Sequence, residues 1–455
     1  MKGQRCFGTS MKQAFAQRGF YRSIVGVNRR RAYGLPYADL IPYLLPCTAA
    51  LLTTGGALLG AANSGMLTAM FALGQCLLAG AIFSVMPAHR DWYASAWPAG
   101  LPCLLQLGWA TLPSCHLPPI APPLSPDLYA LSLLSLYGQV MFFLAMTRLG
   151  QQRHACRRFA EAITLLVGPG IALSMAAVRL EWVDPAVLGL EIGQRLRFSA
   201  SIGNPNVAGV IFAMVSLIAM GVSFMRFRSW QIRPSDRNLL MLACCASSCL
   251  LCMALAAATQ SRSAILLLLP CITLLCLGRV MISGVHRFYL LGGIALLVVL
   301  ALSIGFFFDR LEDLPHDGAT RLAIWARFWT MAQAAPWSGY GPGSFIEINQ
   351  HTLTVGNALT MWDFGAAHAA PLQVVLELGW PGLALVLAWL GAVFWRLLRH
   401  GSVLKSPVAL SMVLAVLLPL CASLFDIAMN VPAVVGLVMG LSGLLYGRAS
   451  PPSIR

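Results

Sequence analysis

Twelve apolar segments, most of them near twenty residues long, fix the solvent for which this chain is built. They run Leu40–Ala62, Met66–Met86, Ala96–Leu112, Leu128–Met146, Phe159–Val178, Val207–Phe224, Leu239–Ala258, Ala264–Leu277, Phe288–Phe308, Pro371–Phe394, Val408–Leu424 and Val431–Leu445. A helix needs about 20 apolar residues to cross the hydrocarbon core of a bilayer. Within that core only helices and closed barrels satisfy every backbone group internally. Composition agrees, with 58% hydrophobic and 10% charged residues, where a soluble domain carries roughly 25% charged. The third segment, which contains Pro98 and Pro102, and the short last one fit the pattern least well. The expected fold class is all-α, a polytopic membrane protein with about twelve transmembrane helices.

Charge sets the expected orientation. With a cytoplasmic N-terminus, 24 of the 31 Lys and Arg residues fall in cytoplasmic segments, the split that the positive-inside rule requires. The net charge of +15 then reflects topology and contact with anionic lipid heads, and nucleic-acid binding is not expected. The chain divides into a basic cytoplasmic segment (1–38), nine helices (39–308), a periplasmic loop with an interfacial helix (309–370), three helices (371–447) and a cytoplasmic tail (448–455). The basic start has no apolar stretch with a cleavage site behind it, so a removable signal peptide is not expected. The cysteines of "CCASSCLLC" (Cys244–Cys252) read as small packing residues in a membrane helix.

The loop from Asp309 to Ala370 is the one long connection, and long ordered loops are uncommon unless functional. Its stretch "TRLAIWARFWTMAQAAPW" spaces Leu322, Trp325, Phe328 and Trp329 as an amphipathic helix would, with Arg321 and Arg327 beside them. The following "GYGPGSF" follows no strand and reads as a tight turn. Seven arginines fall on the outer side: Arg179, Arg195, Arg197, Arg262, Arg310, Arg321 and Arg327.

Three of the expected outer helix starts carry polar residues. "RFSASIGNPN" holds Arg197 and leads into the sixth helix, where Asn204 can cap and Pro205 suits the first turn. Arg262 in "TQSRSAILLLL" opens the eighth helix, with Ser261 as cap, and His368 stands three residues before Pro371 at the start of the tenth. All three helix N-termini then face one compartment with unpaired N–H groups and positive dipole ends. Arginine's planar fork suits phosphate oxygens. Together these describe an anion site, and its place at a membrane surface suits an anion with a lipid tail.

The pieces "RFSASIGNPN", "TQSRSA", "RLAIWARFWTMAQAAPWSGYGPGSF" and "HAAPLQVVLELGWPG", in this order, resemble the bacterial O-antigen ligase and polymerase superfamily, which also includes O-oligosaccharyltransferases. The resemblance covers roughly Arg197 to Gly382, and the helix layout extends it coarsely to the whole chain. It implies transfer of a glycan from an undecaprenyl-diphosphate carrier, at the periplasmic face of the bacterial inner membrane, to lipid A–core or a growing glycan. It implies that Arg197, Arg262 and Arg321 hold the diphosphate and that His368 is catalytic. Asn204, Asn206, Arg195 and Glu377 are supporting residues. Where members carry Asn after this histidine, Ala369 stands here. The chain ends too soon after His368 for the C-terminal region of many protein-glycosylating members, which favours ligase over polymerase and both over oligosaccharyltransferase.

Such a transfer needs negative charge stabilised on the leaving diphosphate and a proton taken from the acceptor hydroxyl. Arginines supply the first and a histidine the second. No cofactor or metal is expected, because no acidic cluster offers a site and His116, His316, His351 and His368 lack close ligand spacing. The reaction expected is a single displacement with inversion at the anomeric carbon. Glu377 is nine residues beyond His368, about 13 Å of helical rise at ~1.5 Å per residue, too far for a direct hydrogen bond. A twelve-helix transporter binding an anionic substrate is the rival from another class, although transport sites usually lie near the midplane. Cysteine labelling in intact cells should reach positions within Asp309–Ala370 and miss Arg226–Arg237; labelling of the long loop only after permeabilisation would overturn the orientation.

Overall fold

A computed structural model describes residues 41–115, 121–180, 182, 198–283, 293, 314–362 and 364–450. The chain divides into a short unit, Met1–Leu45, and a main unit, Pro46–Arg455, to which all contacts below belong. Among the described residues there are helices and no strand. The helices are α1 Ile41–Leu58, α2 Gly65–Val85, α3 Arg90–Thr111, α4 Pro126–Gly150, α5 Ala155–Arg179, α6 Pro205–Ile232, α7 Asp236–Ala258 and α8 Arg262–Ser283. After them come α9 Leu314–Ala334, α10 Phe345–Thr352, α11 Ala358–Met361, α12 Ala370–Arg399, α13 Pro407–Ala422 and α14 Pro432–Arg448. Proline stands in the first turn of α4, α6, α12, α13 and α14, where its missing N–H leaves no bond unmade.

Six helices, α2, α4, α5, α6, α7 and α12, are long and apolar enough to cross a membrane, and α1, α8, α13 and α14 contain shorter apolar stretches. The expected third segment begins earlier, at Arg90, and runs through Pro98 and Pro102 as one helix. It does not belong to either group. Interior prolines are tolerated in such helices because neighbours satisfy the freed carbonyls. The expected ninth segment, Phe288–Phe308, lies outside the described residues apart from Gly293.

Helix α6 is the axis of the bundle. Its most apolar window is 94% buried, against 28–39% for the other five long helices, so it faces protein where they also present apolar outer surface. Helices α5, α7, α8 and α13 surround it. Helix α14 lies against α4 through Gly440, Gly443 and Gly447, whose missing side chains admit Phe142 and the carbonyls of Phe143 and Thr147. At one end of the bundle, Glu161 Oε1 accepts 2.8 Å bonds from Arg157 Nε and Arg226 Nη2. Arg148 binds the carbonyls of Met86 and Pro87, and Arg396 that of Ser95.

The long connection folds on a small core of its own. Ile324, Phe328 and Ala332 of α9 are buried with Phe345, Ile348, Met361, Ala367, Val375 and Leu376. The Phe328 and Phe345 rings meet at 4.8 Å. Phe328 is fully buried in this core, whereas Leu322 and Trp329 are exposed. The packing of α9 on α12 separates them.

Helix α12 breaks at Gly379, which has φ 68° and ψ −178°. Its break and Pro381, which lacks an N–H, free the carbonyls before them. Three donors take their place. Tyr340 N–H bonds Leu376 O at 2.8 Å, Gly341 N–H bonds Glu377 O at 3.0 Å, and the Trp109 indole bonds Leu378 O at 2.7 Å. "GYGPGSF" is indeed a turn, with Gly339, Gly341 and Gly343 at positive φ. A Cβ on Gly379 would collide with the Trp337 carbonyl, and this backbone conformation, open essentially to glycine alone, costs other residues of order 1–3 kcal/mol. Gly379→Ala should therefore lower the thermal unfolding temperature of the purified protein by several degrees, whereas Gly391→Ala, with open space around it, should leave it unchanged. Equal effects at both positions would remove the break as a structural determinant.

Candidate functional site

The site forms where the first turns of α6 and α8 and the segment leading into α12 meet the turn between α13 and α14. Asn204 caps α6 as expected, its side-chain oxygen accepting from the N–H groups of Asn206 at 2.9 Å and Val207 at 3.3 Å. Ser261 caps α8 by accepting from Ala264 N–H at 3.4 Å. Arg262 is the first residue of α8. Arg195 and Arg197 lie outside the described residues; nearby, Phe198 stacks on Phe212 of α6 with ring centroids 6.5 Å apart.

Asp426 joins these elements. Its buried carboxylate accepts from Ser263 Oγ of α8 at 3.2 Å, from Asn206 Nδ2 of α6 at 3.5 Å and from the Ile427 N–H at 2.8 Å. It also acts electrostatically on His368. Sequence reasoning missed this residue, although one signal was present: Asp426 is the sole acidic residue after Glu377, set in the apolar run "LFDIAMN". Arg321 reaches the same turn, donating from Nη1 to the Phe425 carbonyl at 3.0 Å. Arg321 thus comes beside His368, and it too acts on the imidazole.

His368 has φ 52°, a left-handed conformation uncommon outside glycine though less so for histidine. Such strain costs of order 1–3 kcal/mol and persists only where the surroundings impose it. Its Nδ1 is buried and without a hydrogen-bond partner among the described residues, and its ring meets Phe364 edge-on at 5.0 Å. Burial pushes its pKa below the ordinary 6.5, Asp426 opposes that shift and Arg321 adds to it. Removal from water is the largest of the three causes. Desolvation disfavours the charged imidazolium, leaving the ring neutral and able to accept a proton.

Glu377 does not belong to the imidazole's immediate surroundings. Its carboxylate accepts from Gln373 Nε2 at 3.0 Å and from the backbone N–H groups of Gly343 and Phe345 at the start of α10, where a negative charge complements unpaired donors. Beside His368, an apolar cleft of about 530 Å3 opens between α9 and α12, lined by residues including Leu322, Trp325, Trp329, Pro371, Trp380 and Leu424. Among the described residues, no group of three or more His, Cys, Asp or Glu side chains could hold a metal ion.

This geometry can be set beside known proteins. Residues 247–387 match the family model described as O-Antigen ligase. Over that stretch the chain is similar to the O-antigen ligase family. The matched stretch is under a third of the chain and contains Arg262, Arg321, His368 and Glu377, while Asn204, Asn206 and Asp426 lie outside it. Among curated proteins none matches the chain. The O-antigen ligase family is enzymatic and acts in glycan transfer at membranes.

If glycan transfer uses His368 as its base, it should stay active at mildly acidic pH and fall as pH drops through that residue's lowered pKa. Asp426→Asn removes the group that raises that pKa, so the acid limb of the pH–rate profile should move to lower pH. Arg321→Gln removes a lowering charge and should move it to higher pH. Shifts in the opposite directions would mean that His368 does not govern the profile.

Proposed function

We propose that the protein is a membrane glycosyltransferase that moves a glycan from an undecaprenyl-diphosphate carrier to an acceptor hydroxyl at the periplasmic face of the inner membrane, with lipid A–core as acceptor. One observation carries this reading. Asp426 draws the starts of α6 and α8 and the approach to α12 into one place, so that His368, Arg321 and the apolar cleft adjoin there. The O-antigen ligase match supports the reaction class.

The chemistry follows from the groups present. The acceptor oxygen attacks the anomeric carbon as the bond from that carbon to the diphosphate oxygen breaks, with inversion. The electron pair leaves on the diphosphate, and the acceptor proton passes to His368. Arg262 and Arg321, joined by Arg197, stabilise the departing charge. Asp426, close enough to favour the imidazolium, steadies the protonated base as a buried carboxylate does beside other catalytic histidines. The apolar cleft takes the first isoprene units of the carrier, and its tryptophans suit the boundary between headgroups and chains. No metal enters this scheme. Polymerisation of the same lipid-linked glycan is the alternative that differs only in acceptor.

Purified protein in liposomes, given a lipid-linked glycan and lipid A–core, should make a new glycosidic product that EDTA does not abolish. General-base catalysis contributes roughly 10²–10⁴-fold, so His368→Ala should lose activity in that range while still binding the donor. Arg262→Lys, which keeps charge and loses the fork, should weaken transfer at matched expression. Chain extension without attachment to lipid A–core would identify a polymerase, and translocation without bond formation would identify a transporter.

A further inference from the structure

Both polar groups of the Ala367 backbone are taken by side chains. Gln373 Oε1, one turn into α12, accepts the Ala367 N–H at 3.2 Å. The Trp325 indole of α9 donates to the Ala367 carbonyl at 3.2 Å. That carbonyl shares its peptide plane with the nitrogen of His368, so fixing it restrains rotation about the bond that sets the His368 φ. On the other side, Ala370 N–H bonds the Ser423 carbonyl at 2.8 Å. Gln373 is itself held: Asn430 Nδ2 also donates to its oxygen, and its Nε2 donates to Glu377. A strained residue is thus bracketed by bonds from three other elements.

We propose that Trp325 and Gln373 are positioning residues that hold His368 in its left-handed conformation and so aim its ring. The proposal rests on His368 being the base. Neither residue touches the reacting atoms; each acts through the Ala367 peptide. Asn430 and Glu377 fix the Gln373 amide in one orientation, with its oxygen toward Ala367. Glu377 also binds the start of α10, so the histidine's position is tied to the glycine turn docked on the broken helix. A misplacement of about 1 Å can cost 10²-fold in rate, which is why a backbone clamp matters at a catalytic base.

The test uses the full-length protein and two variants, Trp325→Phe, which keeps a ring and loses the donor, and Gln373→Leu. Peptide-resolved labelling with diethyl pyrocarbonate is measured in parallel with glycan transfer. Each variant should label His368 several-fold faster, leave the exposed His351 unchanged and lower kcat about tenfold, with donor KM within about twofold for Gln373→Leu, which does not line the cleft. Faster labelling of His368 with undiminished transfer would uphold the clamp and count against His368 as the base. Unchanged labelling of His368, whatever happens to transfer, would overturn the clamp. So would a parallel rise at His368 and His351, which would mean that the fold as a whole had loosened.

Discussion

Pro381 has no N–H and Gly379 turns the chain out of the helical region, so α12 cannot satisfy the carbonyls that precede its break. A carbonyl left bare in or beside hydrocarbon costs several kcal/mol. The chain answers with donors from elsewhere: Tyr340 and Gly341 from the glycine turn and Trp109 from α3. This debt of hydrogen bonds docks the long connection onto the bundle. Once docked, the connection presents α9 to α12, and with α9 come Arg321, Trp325 and one wall of the apolar cleft.

The same packing decides the chemistry of His368. A histidine at a membrane surface would ordinarily titrate near 6.5 and lie open to water. Here Phe364 covers its ring, its Nδ1 is buried, and the backbone holds it in a strained conformation. Asp426 and Arg321 act on it in opposite senses. The base proposed at His368 needs to be neutral before it works and charged afterwards, and burial beside a carboxylate serves both conditions. Asp426 also receives Ser263 and Asn206, so the group that favours the imidazolium also aligns two of the three helix starts.

Much of this was legible in the order of residues. Ser261 and Asn204 read as caps because their side-chain oxygens sit just before helical, apolar runs, and both do cap. The glycine turn was legible because alternate glycines permit positive φ. The third helix was read from Ala96, where the apolar run begins, because its first turns from Arg90 are polar and aromatic. The helical spacing of the four apolar residues of α9 was legible, but spacing reports only the period of a helix. It does not reveal that two different partners, a small core and a cleft, lie on adjacent sides. Asp426 escaped notice because no local pattern gives an isolated acid in an apolar turn its partners.

The sequence by itself determined the solvent, the helical class, the helix starts and the polar residues that stand at them, because hydropathy, capping and proline chemistry act over a few neighbouring positions. Only the tertiary structure decided that Asp426, Arg321 and His368 meet, that Glu377 serves the start of α10, and that Gln373 and Trp325 grip the peptide before His368. Gln373 is six positions from Ala367, but most of these partners lie tens of positions apart in the chain. Their bonds are set by which helices pack together and by carbonyls freed at a break, and that information resides in three-dimensional contact.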